Sequence, residues 1–180
     1  MMEYLNFFST KTEGKELSNF YLGNVIIDGR MYKSGECAFH GSKFLLIGRN
    51  CVDEERKIEL IEYGMQFECC GAFGDMPSNL VKRKGGNAGK RLNEEEIILW
   101  EILGIEIQRK ICKFKYLNDD IVKNALDNTK NKVLVHPALR CREENVNKRM
   151  WNGKAVIEDG ELKIIGHNTL GKLWMEIRDN

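Results

Sequence analysis

The chain has 180 residues, with 28 Lys and Arg against 27 Asp and Glu, a formal charge of +1 with histidine neutral. At 42% hydrophobic and 31% charged, the composition is globular and excludes a disordered tail, a coiled-coil rod and a protein that binds nucleic acid through bulk positive charge. A chain of this length hides roughly 70% of the surface it exposes when unfolded, so no disulfide or metal staple is needed, and function is expected in a local site of one domain spanning residues 1–180.

The opening run Met-Met-Glu-Tyr-Leu-Asn-Phe-Phe lacks the positive and apolar regions of an export signal, and no stretch reaches the length of a bilayer-spanning helix. A cytoplasmic protein without a membrane partner is expected. Its six cysteines, Cys37, Cys51, Cys69, Cys70, Cys112 and Cys141, form no C-x-x-C pair, and no two lie close enough to His40, His136 or His167 to suggest a zinc knuckle. They read as reduced thiols acting as small hydrophobes, with metal binding the second reading.

In chain order, Asp28-Gly29 between two short apolar runs predicts a β-hairpin. Ser34 then caps a helix that opens at Gly35 or Glu36 and continues to about Ile47. Glu36, His40 and Lys43 fall at i, i+4 and i+7 on that helix, so one face carries three polar groups, with Phe39 beside it. A second amphipathic helix is predicted from Asp53 to about Gln66.

Between Cys70 and Asn93 glycine recurs, and cations flank Gly85-Gly86-Asn87-Ala88-Gly89. This is one residue short of a Walker A frame, and Arg91 stands where Ser or Thr would hold magnesium, so a P-loop is rejected. Two readings remain: a solvated, mobile basic loop, or a flap that attracts a phosphate-bearing ligand. Glu94-Glu95-Glu96 opens the longest helix, which runs to about Tyr116. A shorter helix follows at Asp119–Asp127, then a buried strand at Val133-Leu134-Val135 stopped by Pro137. A second Asp-Gly hairpin is predicted around Asp159-Gly160, and a closing helix from Thr169 with Asn168 at its N-cap. The elements do not alternate as βαβ units, which predicts a helix-rich α+β fold with short hairpins.

Several separated motifs coincide with one family. They are Leu17-Ser18-Asn19-Phe20, Asp28-Gly29, Tyr32, the run Ser34-Gly35-Glu36-Cys37-Ala38-Phe39-His40-Gly41-Ser42-Lys43-Phe44, Trp100-Glu101, Lys113-Phe114, Trp151, and the segment from Gly166-His167-Asn168-Thr169 to Arg178. In order and spacing the chain resembles the NADAR, or YbiA-like, N-glycosidase family over nearly its whole length.

The resemblance implies a YbiA-like fold and hydrolysis of the bond between a nitrogen and the anomeric carbon of a phosphorylated ribose or ADP-ribose-type nucleotide, without a cofactor or metal. Glu36 matches the family's catalytic glutamate and Lys43 its lysine; the glutamate would either stabilise the oxocarbenium-like state and take a proton from water, or protonate the leaving nitrogen. Ser18, Asn19, Tyr32, Phe39, Trp100, Trp151 and Asn168 are the implied ligand-binding positions. The implied partner is a small phosphorylated ribose or ADP-ribose-like ligand, with an ADP-ribosylated base on nucleic acid as an extension. The alternative is a protein that holds an ADP-ribose-derived nucleotide or signal without cleaving it.

The chain departs from the family pattern at two acidic positions. His136 stands where a glutamate follows the Leu-Val strand, and Lys148 where an aspartate precedes Trp151 by three. A second acid can then come only from Glu143 or Glu144, or is absent. His136 reads either as a replacement base or as a structural histidine before a turn. His40 stands at a position usually held by glutamine and would preserve a hydrogen bond.

Overall fold

The computed structural model describes residues 3–180; Met1 and Met2 of the opening run lie outside the described residues. In chain order the elements are β1 (Tyr4–Asn6), β2 (Leu22–Ile27), β3 (Arg30–Ser34), α1 (Gly35–Asn50), α2 (Glu54–Met65), α3 (Ser78–Gly85), α4 (Glu94–Asn118), α5 (Asp120–Asp127), β4 (Val133–Val135), β5 (Lys154–Glu158), β6 (Glu161–Ile165) and α6 (Thr169–Asp179). Short 3-10 turns lie at Lys15–Leu17 and Glu143–Lys148. This is the helix-rich α+β architecture with short hairpins that the sequence predicts. Among the described residues no helix is long and apolar enough to cross a membrane.

Local chemistry fixes the element ends. Both hairpins turn on an Asp-Gly pair with two positive φ angles, 49° and 79° at Asp28 and Gly29, 52° and 82° at Asp159 and Gly160. That is the twist a two-residue hairpin loop requires, and it sets the registers Ile27↔Arg30 and Glu158↔Glu161. The Ser34 Oγ accepts the Cys37 N–H at 3.1 Å to start α1. Asp53 accepts the Arg56 N–H at 2.6 Å to start α2, and Asp119 accepts from Ile121 and Val122 to start α5. At α4, Asn93 and Glu96 exchange side-chain and backbone hydrogen bonds, both 2.8 Å, a reciprocal capping box.

Contacts divide the chain into two compact units. In Asn19–Phe114 the core gathers Tyr32, Phe44, Ile47, Leu60, Phe67 and Ile111. The helices α1 and α2 approach closely because Gly64 has no side chain; a Cβ there would stand 2.9 Å from Leu45 Cγ. The other unit combines the residues up to Ser18 with Lys115–Asn180. There β1 pairs in parallel with β4, Tyr4 opposite Val133, and the buried Trp174 indole donates to the Leu17 carbonyl at 2.9 Å. The Lys115 ammonium donates to the Glu16 and Ser18 carbonyls at 2.9 Å, satisfying the exit of the 3-10 turn.

Five expectations are corrected. The first helix continues to Asn50 and the longest to Asn118. The glycine-rich stretch between Cys70 and Asn93 is not wholly a loop, because Ser78–Gly85 forms α3; its last turn carries Lys82, Arg83 and Lys84, a charge placement that suits a helix C-terminus. Asn168 occupies the position before α6 but makes no side-chain cap there, since its amide is committed elsewhere. All six cysteines are free thiols, yet only Cys37 and Cys112 are core residues; Cys70 is exposed and the others are half-buried.

Candidate functional site

Because α1 starts at Gly35, residues two, six and nine of the helix share a face, and the structure brings Glu36, His40 and Lys43 onto it. All three are buried, at 7%, 8% and 8% exposure. Burial of charge requires compensation, and each group finds part of it. The His40 Nε2 lies 3.1 Å from Glu36 Oε1. The Lys43 ammonium donates to the Gly85 carbonyl at the end of α3 and lies 4.6 Å from the Phe44 ring centroid.

The titration of these groups follows from their surroundings. Desolvation pushes His40 below its ordinary value, against the opposing hydrogen bond to Glu36, so the imidazole is neutral at physiological pH. As a neutral ring donating from Nε2, it leaves Nδ1 as an acceptor, and among the described residues Nδ1 has no hydrogen-bond partner. Burial lowers Lys43 from 10.5 to about 8, with the Glu36 charge opposing.

The face is covered by the close of α3. A Cβ built on Gly85 would stand 2.0 Å from His40 Cγ and 2.2 Å from Nδ1, so the glycine backbone lies directly on the imidazole. The glycine-rich stretch therefore does reach the Glu36 helix, through a backbone carbonyl and a bare Cα, while Lys82, Arg83 and Lys84 are exposed. A separate cleft of about 400 Å³ opens at the far end of α1, among Ile47, Asn50, Arg56, Asn93, Glu96 and Leu99.

The implied ligand-binding residues divide between the two units. In Asn19–Phe114, Phe39 makes edge contacts with His40 at 5.5 Å and with Trp100 at 4.9 Å, so a half-buried aromatic pair continues the polar face. Asn19 exchanges two amide hydrogen bonds with Gln108, 2.8 and 3.0 Å, while its carbonyl accepts the Glu36 N–H at 2.9 Å. It thus ties the first turn of α1 to α4. Tyr32 is fully buried; burial pushes its hydroxyl up to about 12, the Ser42 hydroxyl opposing, and its ring packs on Gly41. The geometry gives Tyr32 a supporting place beneath α1.

In the other unit, Ser18 is 2% exposed and Trp151 half-buried. Asn168 has a left-handed backbone, φ 49°, and a side chain engaged at both ends: Oδ1 accepts from the His136 N–H at 3.0 Å and Nδ2 donates to the Leu134 carbonyl at 2.8 Å. It extends the β4 edge in place of capping α6. His136 accepts from the Asn152 amide at Nδ1, 3.0 Å away, and packs 5.4 Å from the Phe7 ring, the environment of a structural histidine. Glu143 and Glu144 are both exposed and paired, with Lys154 at 2.5 Å and Arg142 at 3.9 Å, so neither is a buried carboxylate of the Glu36 kind.

Sequence reasoning singled out the run that begins at Gly85 but missed its seat on His40, and it missed Gln108; both act through contacts formed only in the folded chain. Among the described residues no group of three or more His, Cys, Asp or Glu is arranged to hold a metal ion.

These features define an α+β protein of YbiA-like fold. The chain superposes on the NMR structure of the Escherichia coli protein YbiA with a TM-score of 0.60 and 24% sequence identity, covering 99% of this chain and 85% of that one. No protein-family model matches the chain, and no curated protein sequence does. The likeness establishes the fold.

Proposed function

We propose that the protein is an N-glycosidase that hydrolyses the N-glycosidic bond of a phosphorylated riboside or an ADP-ribose-type nucleotide. The observation that carries this reading is the buried Glu36 carboxyl, oriented by a neutral His40 on the same helical face as the Lys43 cation. The motif resemblance and the YbiA-like fold support it.

In the proposed reaction the C1′–N bond breaks and its electron pair leaves with the nitrogen. Water adds its oxygen to C1′, Glu36 takes the proton that the water loses, and that proton passes to the departed nitrogen, which restores the carboxylate. A fixed carboxylate beside the sugar also stabilises the developing oxocarbenium charge. His40 restricts Glu36 to one orientation, as hydrogen-bonded partners of catalytic carboxylates do. Lys43 supplies the positive charge for a ligand phosphate once the Gly85 carbonyl releases it. Phe39 and Trp100 offer an apolar wall for a flat base. The partner class is a small phosphorylated ribose or ADP-ribose-like ligand, including such a group on a nucleic-acid base.

The test is base release from a panel of N-ribosides and ADP-ribosylated bases, followed by chromatography. Multiple turnover by the native chain and a fall of at least about a hundredfold in Glu36→Gln is expected, the range for loss of a positioned acid–base group. Unchanged turnover in Glu36→Gln overturns the assignment of that residue. Stoichiometric binding with intact ligand recovered identifies a binding protein instead.

A further inference from the structure

Beyond the end of α2 the chain makes a tight, hydrogen-bonded excursion that the proposed hydrolysis does not use. The Phe73 N–H donates to the Gln66 carbonyl and the Gly71 N–H to the Glu68 carbonyl, both at 2.8 Å, while the Cys69 N–H donates to Met31 of β3 at 2.9 Å. Gly71 and Gly74 make the turn possible, since a Cβ on either would come within 2.4 Å of a backbone carbonyl oxygen. On this fixed backbone sit Cys69 and Cys70, half-buried and exposed respectively, with their sulfurs 3.6 Å apart.

That spacing discriminates between chemistries. A disulfide needs its sulfurs at about 2.05 Å and its Cα atoms at roughly 4.4–6.8 Å, whereas adjacent residues joined by a trans peptide have Cα atoms about 3.8 Å apart. Direct closure therefore requires backbone movement. A single atom bridging the two sulfurs does not: with thiolate bonds of about 2.3 Å, the length found for a soft metal centre, sulfurs 3.6 Å apart subtend an angle of about 103° at that atom. This is close to the angle of a pyramidal or tetrahedral centre. Among the described residues no third His, Cys, Asp or Glu joins the pair, so a four-coordinate structural metal would lack half its protein ligands.

We propose that Cys69 and Cys70 are a dithiol capture site for a thiophilic centre with two exchangeable valences, a trivalent arsenical being the chemical class that fits. With an organoarsenic oxide, R–As=O, both S–H bonds break, two As–S bonds form, and the oxygen leaves as water with the two thiol protons; no electrons are transferred. The thiol–thiol hydrogen bond holds Cys69 above the ordinary thiol value, while the nearby Lys33 cation opposes it. The pair thus keeps a proton to give to the departing oxygen.

The test uses phenylarsine oxide on the full chain under reducing conditions, read by intact mass and free-thiol titration. One phenylarsenic group per chain is expected, with loss of two of the six thiols, retained in excess 2-mercaptoethanol and released by 2,3-dimercaptopropanol. Cys69→Ser and Cys70→Ser should each abolish the monothiol-resistant adduct, whereas Cys141→Ser should keep it. A resistant adduct that survives in either serine variant, or a native-chain adduct displaced by monothiol, overturns the proposal. Both positions lie outside the core, and circular dichroism verifies that the variants are folded.

Discussion

Replacing Gly85 by alanine tests whether the close of α3 is seated on the Glu36 face. The added methyl would lie 2.0 Å from His40 Cγ, and ordinary contact begins at 3.4 Å, so ring and backbone must separate by about 1.4 Å. The ring cannot swing aside freely, because its Nε2 is engaged by Glu36 and Phe39 and Phe67 flank it. Overpacking of this kind costs about 1–3 kcal/mol. If α3 retreats, the charge-assisted bond from Lys43 to the Gly85 carbonyl is lost as well, bringing the expected loss to about 2–4 kcal/mol. In urea, with a slope of about 2 kcal/mol per molar, the unfolding midpoint should fall by about 1–2 M. The decisive control is His40→Ala, which makes room for the methyl: in that background Gly85→Ala should cost at least about 1 kcal/mol less. A Gly85→Ala change below about 0.5 kcal/mol, or strict additivity with His40→Ala, would refute the contact.

Two further predictions concern charge. Lys43 is lowered from 10.5 to about 8 in the fold, so between those values the unfolded chain holds a proton that the folded chain has released, and stability should rise with pH across this window. At about 1.36 kcal/mol per pH unit the rise amounts to about 3 kcal/mol at most; urea titrations at several pH values should show it in the native chain and not in Lys43→Met. Arg56 holds Glu96 with two hydrogen bonds of 2.8 and 2.9 Å, and Glu96 is only 6% exposed. Arg56→Ala should therefore cost about 2–3 kcal/mol at neutral pH, less than for a fully buried pair because the guanidinium is partly solvated. The guanidinium holds Glu96 below its ordinary value of 4.5, so this contribution is present above that pH and disappears as acid protonates the folded carboxyl. Denaturation of the variant should show a correspondingly flatter acid limb.

What could be read from the sequence was what is encoded within a few residues. Ser34, Asp53 and Asp119 announce helix starts through a single side-chain oxygen, and the two Asp-Gly pairs announce hairpins through positive φ. The Glu36, His40 and Lys43 face follows from helical spacing once the start of α1 is known. The parts that escaped depend on distant partners. The eight residues of α3 are too few to show a clear period and end in glycine. The backbone seat of Gly85 on His40 needs α3 to be docked before it exists. Asn168 looks like a cap because caps are local, whereas its actual partners, Leu134 and His136, lie more than thirty positions earlier. Burial of Tyr32 likewise follows from the packing of β3 under α1, which its local sequence does not signal.

The parallel pairing of β1 with β4 has a consequence for the order of events during synthesis. Tyr4 meets Val133, so the earliest strand has no partner until 129 further residues have been made. Phe114 ends the contiguous Asn19–Phe114 unit and precedes Val133, so this unit clears the ribosome ahead of the strand that β1 needs. A nascent chain thus carries a finished compact unit, with Glu36 already on its helix, while the first strand still waits for its mate.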